Sequence, residues 1–253
     1  MRKRNPIELL TPDGQKLRGI FSYSPNSQSP PVIVFAHGFG SRRSGDKATA
    51  IEAECVKRNW AFIACDFRGH GESDGVMDEL LGSRLLEDLE AIVREAQKRA
   101  GGKLFLFGSS MGGWASAWFA ARFPTQVAAC AFVAPAFRFL EWRNLTEAER
   151  AKWQRTGRHR VKNEFVDVEI GYGLITEANH FKFDFLAARF ITPSIIFHGM
   201  ADGIVPYAVS IDFASSCAAE EIDLVIIKSG DHRLNRDGKK LARAACDFFS
   251  EHL

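Results

Sequence analysis

Short, unbroken apolar runs recur along the chain: Val32–Phe35, Ala61–Ala64, Leu104–Phe107, Val127–Val133, Ile195–Phe197 and Leu224–Ile227. Without polar alternation, they read as strands of a parallel sheet covered on both faces. The segments between them carry a different period. Leu85, Leu86, Leu89, Ile92, Val93 and Ala96 fall at helical spacing and form one apolar stripe. Trp114–Phe123 is apolar almost all round, the pattern of a helix pressed into a sheet. Near the start, Ile7–Leu10 and Lys16–Tyr23 flank Pro12-Asp13-Gly14, which signals a hairpin. Strands alternating with helices predict an α/β fold with right-handed crossovers.

The rhythm breaks once, between Pro135 and Pro193. That stretch is too long for a loop and contains a helical pattern over Thr146–Trp153. It reads as a cap of residues 136–190 inserted over the carboxyl ends of the strands, dividing a core made of residues 1–135 and 191–253. The cap is rich in aromatic side chains: Phe137, Phe139, Trp142, Trp153, Phe165, Tyr172, Phe181, Phe183 and Phe185. It also sets Arg143, Arg150, Lys152, Arg155, Arg158, Arg160 and Lys162 against Glu141, Glu147 and Glu149. An apolar wall with a positive field, able to attract anionic substrates, is the expectation.

Composition acts mainly by exclusion. The 253 residues are 46% hydrophobic and 25% charged, a globular mixture long enough to bury a core without staples. Lys and Arg exceed Asp and Glu by only two, so a nucleic-acid partner is not expected. Ala128–Phe137, the longest apolar stretch, falls well short of the roughly 18 residues a spanning helix needs. Cys55, Cys65, Cys130, Cys217 and Cys246 form no C-x-x-C pair, which suits free thiols in a reducing compartment. The basic amino terminus has no apolar run behind it and does not read as a secretory signal. A cytoplasmic location is expected.

The chemistry centres on Gly108-Ser109-Ser110-Met111-Gly112, a G-x-S-x-G string. An apolar strand leads in and the apolar helix leads out. A serine on such a turn is held in strained geometry that small neighbours permit, its hydroxyl raised above the sheet. It needs a base to take its proton. Of seven histidines, His232 is favoured, because Ser229–Arg233 follows the last strand run as a loop. His252 lies beside the terminus, His37 and His198 precede glycines and read as loop-orienting, His159 and His180 fall in the cap, and His70 is the residual competitor. The base in turn needs a carboxylate to fix its tautomer. Asp202, in the loop His198–Asp202, is the choice; Asp231 adjoins the histidine too closely, and Glu141 is the runner-up. His37-Gly38-Phe39-Gly40 follows the strand at Val32–Phe35, so the backbone amides of Phe39 and Met111 are the expected oxyanion donors.

These residues together resemble the α/β-hydrolase superfamily, whose order of serine, acid and histidine matches Ser110, Asp202 and His232. The loop Asp66–Ser73 belongs to the same resemblance, which covers nearly the whole chain outside the cap. More narrowly, Gly108–Trp114, His198–Pro206 and Asp231–Arg233 resemble an abhydrolase-domain group of acyl-glucuronide esterases and palmitoyl-protein thioesterases. The resemblance implies a mostly parallel eight-stranded sheet flanked by helices. It also implies hydrolysis of carboxylic esters or thioesters without a cofactor, through an acyl-serine.

Other readings fare less well. Asp74 occupies the third glycine place of a dinucleotide loop begun by Gly69 and Gly71, and no phosphate-loop, H-E-x-x-H or cysteine-cluster motif is found, so no metal is expected. A carbon–carbon bond hydrolase, a perhydrolase or an acyltransferase would use the same three residues. A non-catalytic binding module would be expected to have lost one of them.

Overall fold

The computed structural model describes residues 3–142, 145–163 and 166–253. Arg143 and Phe165 of the cap lie outside the described residues. The hairpin β1 (Lys3–Leu10) and β2 (Lys16–Tyr23) opens the chain. It is followed by β3 (Val32–Ala36), α1 (Asp46–Arg58), β4 (Ala61–Cys65), α2 (Gly82–Ala100), β5 (Leu104–Ser109), α3 (Met111–Arg122) and β6 (Ala129–Val133). Next come α4 (Glu147–Thr156), β7 (Arg158–Lys162), β8 (Asp167–Gly171), α5 (Gly173–Thr176) and α6 (Phe183–Arg189). The chain then returns to β9 (Ser194–Gly199), α7 (Ala208–Ser216), β10 (Ile222–Ile227) and α8 (Gly238–Glu251).

Eight strands form one sheet in the order β1-β2-β4-β3-β5-β6-β9-β10. β2 pairs antiparallel with both neighbours, and the remaining pairs are parallel. The mostly parallel sheet expected from the apolar runs is therefore present. Every residue of β3, β4, β5, β6 and β9 is buried, because helices cover both faces. Leu85, Leu89 and Ile92 of α2 join Trp114 and Phe119 of α3 in one core. Ile51 and Cys55 of α1 join Ala245 and Phe249 of α8 in the other.

Two expectations need correction at the sheet edges. The Leu224–Ile227 run reads as covered on both faces, but β10 is the outer strand, with Val225 40% exposed. On the opposite edge β1 reaches back to Lys3 through polar residues, which an edge strand tolerates because one side meets solvent.

Between β6 and β9 the helical pattern at Thr146 becomes α4. Thr146 accepts from the Glu149 amide and Glu149 returns the bond, a capping box, and Gly157 in the left-handed region ends the helix. Sequence reading missed the small antiparallel sheet β7–β8, in which the less exposed His159, Val161, Val168 and Ile170 alternate with exposed charged residues. Glu177 accepts hydrogen bonds from the amide and hydroxyl of Ser83 at 2.9 and 2.6 Å, tying this segment to the first turn of α2. Phe181 wedges between Trp114 and Trp118, 5.2 Å from each ring.

Candidate active site

Ser110 sits where β5 turns into α3, with φ 51° and ψ −115°. A side chain held in that region stores on the order of 1–3 kcal/mol, and the surroundings must impose it. Its amide donates to the Val133 carbonyl at 3.0 Å, and its carbonyl accepts from Gly113 at 2.9 Å and Ala136 at 3.1 Å. Close packing makes the turn feasible. A Cβ on Gly112 would overlap the Ala36 carbonyl, so only glycine lets the start of α3 lie against the end of β3.

A line of hydrogen bonds runs from this serine. His232 Nε2 lies 3.1 Å from Ser110 Oγ, and His232 Nδ1 lies 2.7 Å from Asp202 Oδ2. The three residues come from the turns after β5, β10 and β9, all at the carboxyl ends of parallel strands. The Asp202 side chain is wholly buried, and that of His232 is 13% exposed. Burial by itself would raise the Asp202 carboxyl. Hydrogen bonds from His198 and His232, with the Val205 amide, more than offset it and hold the group well below the usual carboxylate range. Asp202 Oδ1 accepts from the amides of Ile204 and Val205, both at 2.8 Å. With Asp202 an anion, His232 Nδ1 must carry the proton, leaving the Nε2 lone pair facing the serine hydroxyl.

His198 holds the carboxylate from the other side. Its Nε2 lies 3.1 Å from Asp202 Oδ2 and 3.0 Å from the Val205 carbonyl, two acceptors, so this nitrogen is the donor. Nδ1 then accepts from Ser210 at 2.7 Å. Sequence reading gave His198 a loop-orienting role and missed this one. The available signal was its place four residues before Asp202.

The other candidates are engaged elsewhere. Glu141 is held by Arg138 at 3.1 Å, and Asp231 accepts from the Leu234 amide at 2.7 Å. His37 donates to the Gly38 carbonyl and accepts from the Phe67 amide, and burial followed by the nearby His70 pushes it down to about 3. His70 bonds the Arg68 carbonyl and packs against the rings of His37 and Phe39. His159 packs on Trp142 and Trp153, His180 ends a short 3₁₀ turn, and His252 bonds the Phe248 carbonyl.

Gly38 brings the loop after β3 to the serine: a Cβ there would stand 3.3 Å from Ser110 Cβ and 4.0 Å from Oγ. The turn closed by Ser41 N–H on the Gly38 carbonyl does not use the Phe39 amide. Met111 is the first residue of α3, where a helix leaves its N–H groups free. Among the described residues, no group of three or more His, Cys, Asp or Glu side chains is arranged to hold a metal ion. Nor is any helix long and apolar enough to cross a membrane.

The aromatics between Phe137 and Phe185 divide. Phe139 lies between Phe39 at 6.2 Å and Trp114 at 6.0 Å. Phe137 stacks on Phe213, and Trp142 and Tyr172 pack around Trp153 as a core of their own. Folding pairs part of the positive charge of this stretch. Arg160 and Lys162 pair with Asp167, and Arg158 with Asp78 and Glu169, acids beyond the basic stretch in sequence but opposite it in space.

Comparison with known proteins agrees with this architecture. The family described as serine aminopeptidase, S33 matches residues 27–164, more than half of the chain. The mitochondrial palmitoyl-protein thioesterase ABHD10 of Mus musculus is 31% identical over 212 residues, covering 81% of this chain and 69% of the relative. The solved structure of alpha/beta hydrolase domain-containing protein 10 from mouse superposes with a TM-score of 0.83 at 26% identity, covering 98% of this chain and 99% of that one. A putative hydrolase from Agrobacterium vitis S4 reaches a TM-score of 0.85 at 23% identity, covering 98% and 99%. Sheet order, family match and aligned relatives concur: the chain belongs to the α/β-hydrolase family.

Proposed function

We propose that the protein is a serine hydrolase of carboxylic esters or thioesters with small apolar or aromatic acyl groups, working through an acyl-Ser110 intermediate. The observation that carries this reading is the hydrogen-bonded line from Ser110 through His232 to the buried anion Asp202. His232 Nε2 takes the hydroxyl proton as Ser110 Oγ attacks the acyl carbonyl. The amides of Phe39 and Met111 stabilise the oxyanion, and the positive end of α3 adds to them. His232 then protonates the departing alkoxide or thiolate. Water attacks the acyl-enzyme by the same route in reverse, restoring Ser110.

Residues 136–190 act in this reading as a cap whose Phe139, with Phe39, forms the apolar side of the acyl site. The mouse relative, a palmitoyl-protein thioesterase, favours thioesters among the substrates. Four buried free cysteines, with the Cys246 thiol pushed up to about 12 by burial, suit the cytoplasm as the working compartment. The test is labelling of the full chain by a fluorophosphonate, followed by assay of acyl esters, thioesters and amides of graded length. Labelling at Ser110 with ester or thioester turnover is expected. Absence of labelling in the folded protein, or efficient cleavage of amides above esters, overturns the reading.

A further inference from the structure

α1 begins where the loop carrying Gly38 and Phe39 ends, and its second residue is Lys47. Lys47 Nζ stands 2.6 Å from the carbonyl oxygen of Arg233, the residue after His232 and 186 positions away in sequence. An ammonium on a neutral carbonyl makes a charge-assisted hydrogen bond, roughly twice as strong as a neutral one. Other bonds also shape the loop after β10. The Gly230 carbonyl accepts from Ala201 at 3.0 Å, and Asp231 accepts from Leu234 at 2.7 Å. Those two tie the loop to the Asp202 turn and to itself. Lys47 alone in this set ties it to the element that continues from the oxyanion loop. The two loops approach Ser110 separately, Gly38 at its Cβ and His232 at its Oγ. Something must fix their relative position, since displacing a reacting group by about 1 Å can cost two orders of magnitude in rate.

We propose that Lys47 is a positioning residue, whose hold on the Arg233 carbonyl keeps His232 Nε2 in register with Ser110 and the oxyanion loop. This rests on the reading of Ser110 and His232 as nucleophile and base. Lys47 touches neither substrate nor the reacting atoms. Its surroundings support the assignment: burial, with Arg233 nearby, pushes the ammonium down to about 8, while Asp231 and Asp46 work in the opposite direction. The groups facing it are thus Asp46 on its own helix, and Asp231 and Arg233 on the loop it holds.

The test compares wild type, Lys47→Met, Lys47→Arg and Ser110→Ala as full chains on one short-chain p-nitrophenyl ester, with thermal melts alongside. Lys47→Met is expected to lose roughly tenfold in kcat while KM stays within about twofold, the signature of misplacement rather than lost binding. Lys47→Arg, which keeps the charge and reaches the carbonyl, should recover most of kcat. Wild type should lose kcat above about pH 8, where Lys47 gives up its charge, and Lys47→Arg should not. A folded Lys47→Met enzyme with wild-type kcat overturns the inference, as does an identical alkaline limb in wild type and Lys47→Arg. The second comparison decides the matter if Lys47→Met fails to fold. Ser110→Ala keeps the two readings apart. If it is inactive while Lys47→Met is normal, only the role of Lys47 falls; if it stays active, the serine mechanism falls and this role with it.

Discussion

Asp202→Asn is the substitution whose outcome the geometry constrains most tightly. The Asp202 carboxylate accepts two backbone amides on Oδ1, and His232 and His198 on Oδ2. An asparagine must keep its oxygen on the two amides, because an NH2 group there would face two donors. Its NH2 therefore takes the Oδ2 place and donates toward His232. His232 Nδ1 can receive that bond only by giving up its proton, which moves to Nε2 and points at Ser110 Oγ. The imidazole is then a donor where the mechanism needs an acceptor. Loss on the order of 10⁴ in kcat follows, about 5 kcal/mol of transition-state stabilisation. KM should change little, since Asp202 touches no substrate. His198 also loses its anionic partner, so some stability is lost, on the order of 1–3 kcal/mol, and the melting temperature falls by several degrees. The assay is steady-state turnover of a p-nitrophenyl ester, the rate of fluorophosphonate labelling and a thermal melt on the same preparation. A folded Asp202→Asn enzyme within tenfold of wild type refutes the reasoning. So does a large loss in Glu141→Gln, which would make Glu141 the acid.

Ser110→Ala should abolish turnover while leaving the melting temperature near that of wild type, or raising it, because the strained turn loses no structural hydrogen bond; a tenth of the activity in the folded variant would refute the nucleophile. Gly112→Ala should be destabilised by several kcal/mol, since its Cβ meets the rigid Ala36 carbonyl; normal expression and melting would refute the close approach. For His37, the folded value of about 3 lies below the usual 6.5, so the unfolded chain takes up a proton that the folded chain refuses. Its contribution is fully present above about pH 6.5 and fades as pH falls toward 3; denaturant midpoints should show His37→Asn less stable at pH 7 but with a shallower acid slope. Because the bases of β7 are paired with Asp78, Asp167 and Glu169, anionic and neutral esters should lose kcat/KM equally as salt rises. A steeper loss for anions would show that the remaining bases of the cap attract them.

The core strands and the turn at Ser110 were legible because burial on both faces writes an unbroken apolar run, and the tight βα turn writes glycines around a serine. Asp202 and His232 were legible from place alone, each in a loop just after a strand. What could not be read is what depends on partners distant in sequence. The four-residue spacing from Asp202 hints locally that the ring of His198 shares Asp202 with His232, but it does not suffice, because the sharing is set by how the loop after β9 curls back on Ser210. The pairing of Arg160 with Asp167 needs the hairpin β7–β8, whose alternation of charged and less polar residues is too short to mark a strand by itself. Local charge counting therefore misses these pairs. β10 misled for the converse reason: an edge strand can be as apolar as a central one while one side stays open.

The bond from the Ala136 amide to the Ser110 carbonyl sets a boundary for divergence. Up to Ala136 the chain leaving β6 is part of the scaffold that strains the serine turn, with Ser110 N–H on Val133 and Ala134 itself at φ 44°. A few residues further on, Phe139 meets Trp114 of α3 through its side chain. Insertions, deletions or wholesale exchange can accumulate there without disturbing the backbone that holds the reacting hydroxyl. Descendants of this fold can thus change what they accept while inheriting how they react, and a chimera that grafts a foreign segment after Phe137 should keep its fluorophosphonate reactivity, whereas one cut before Ala134 should not.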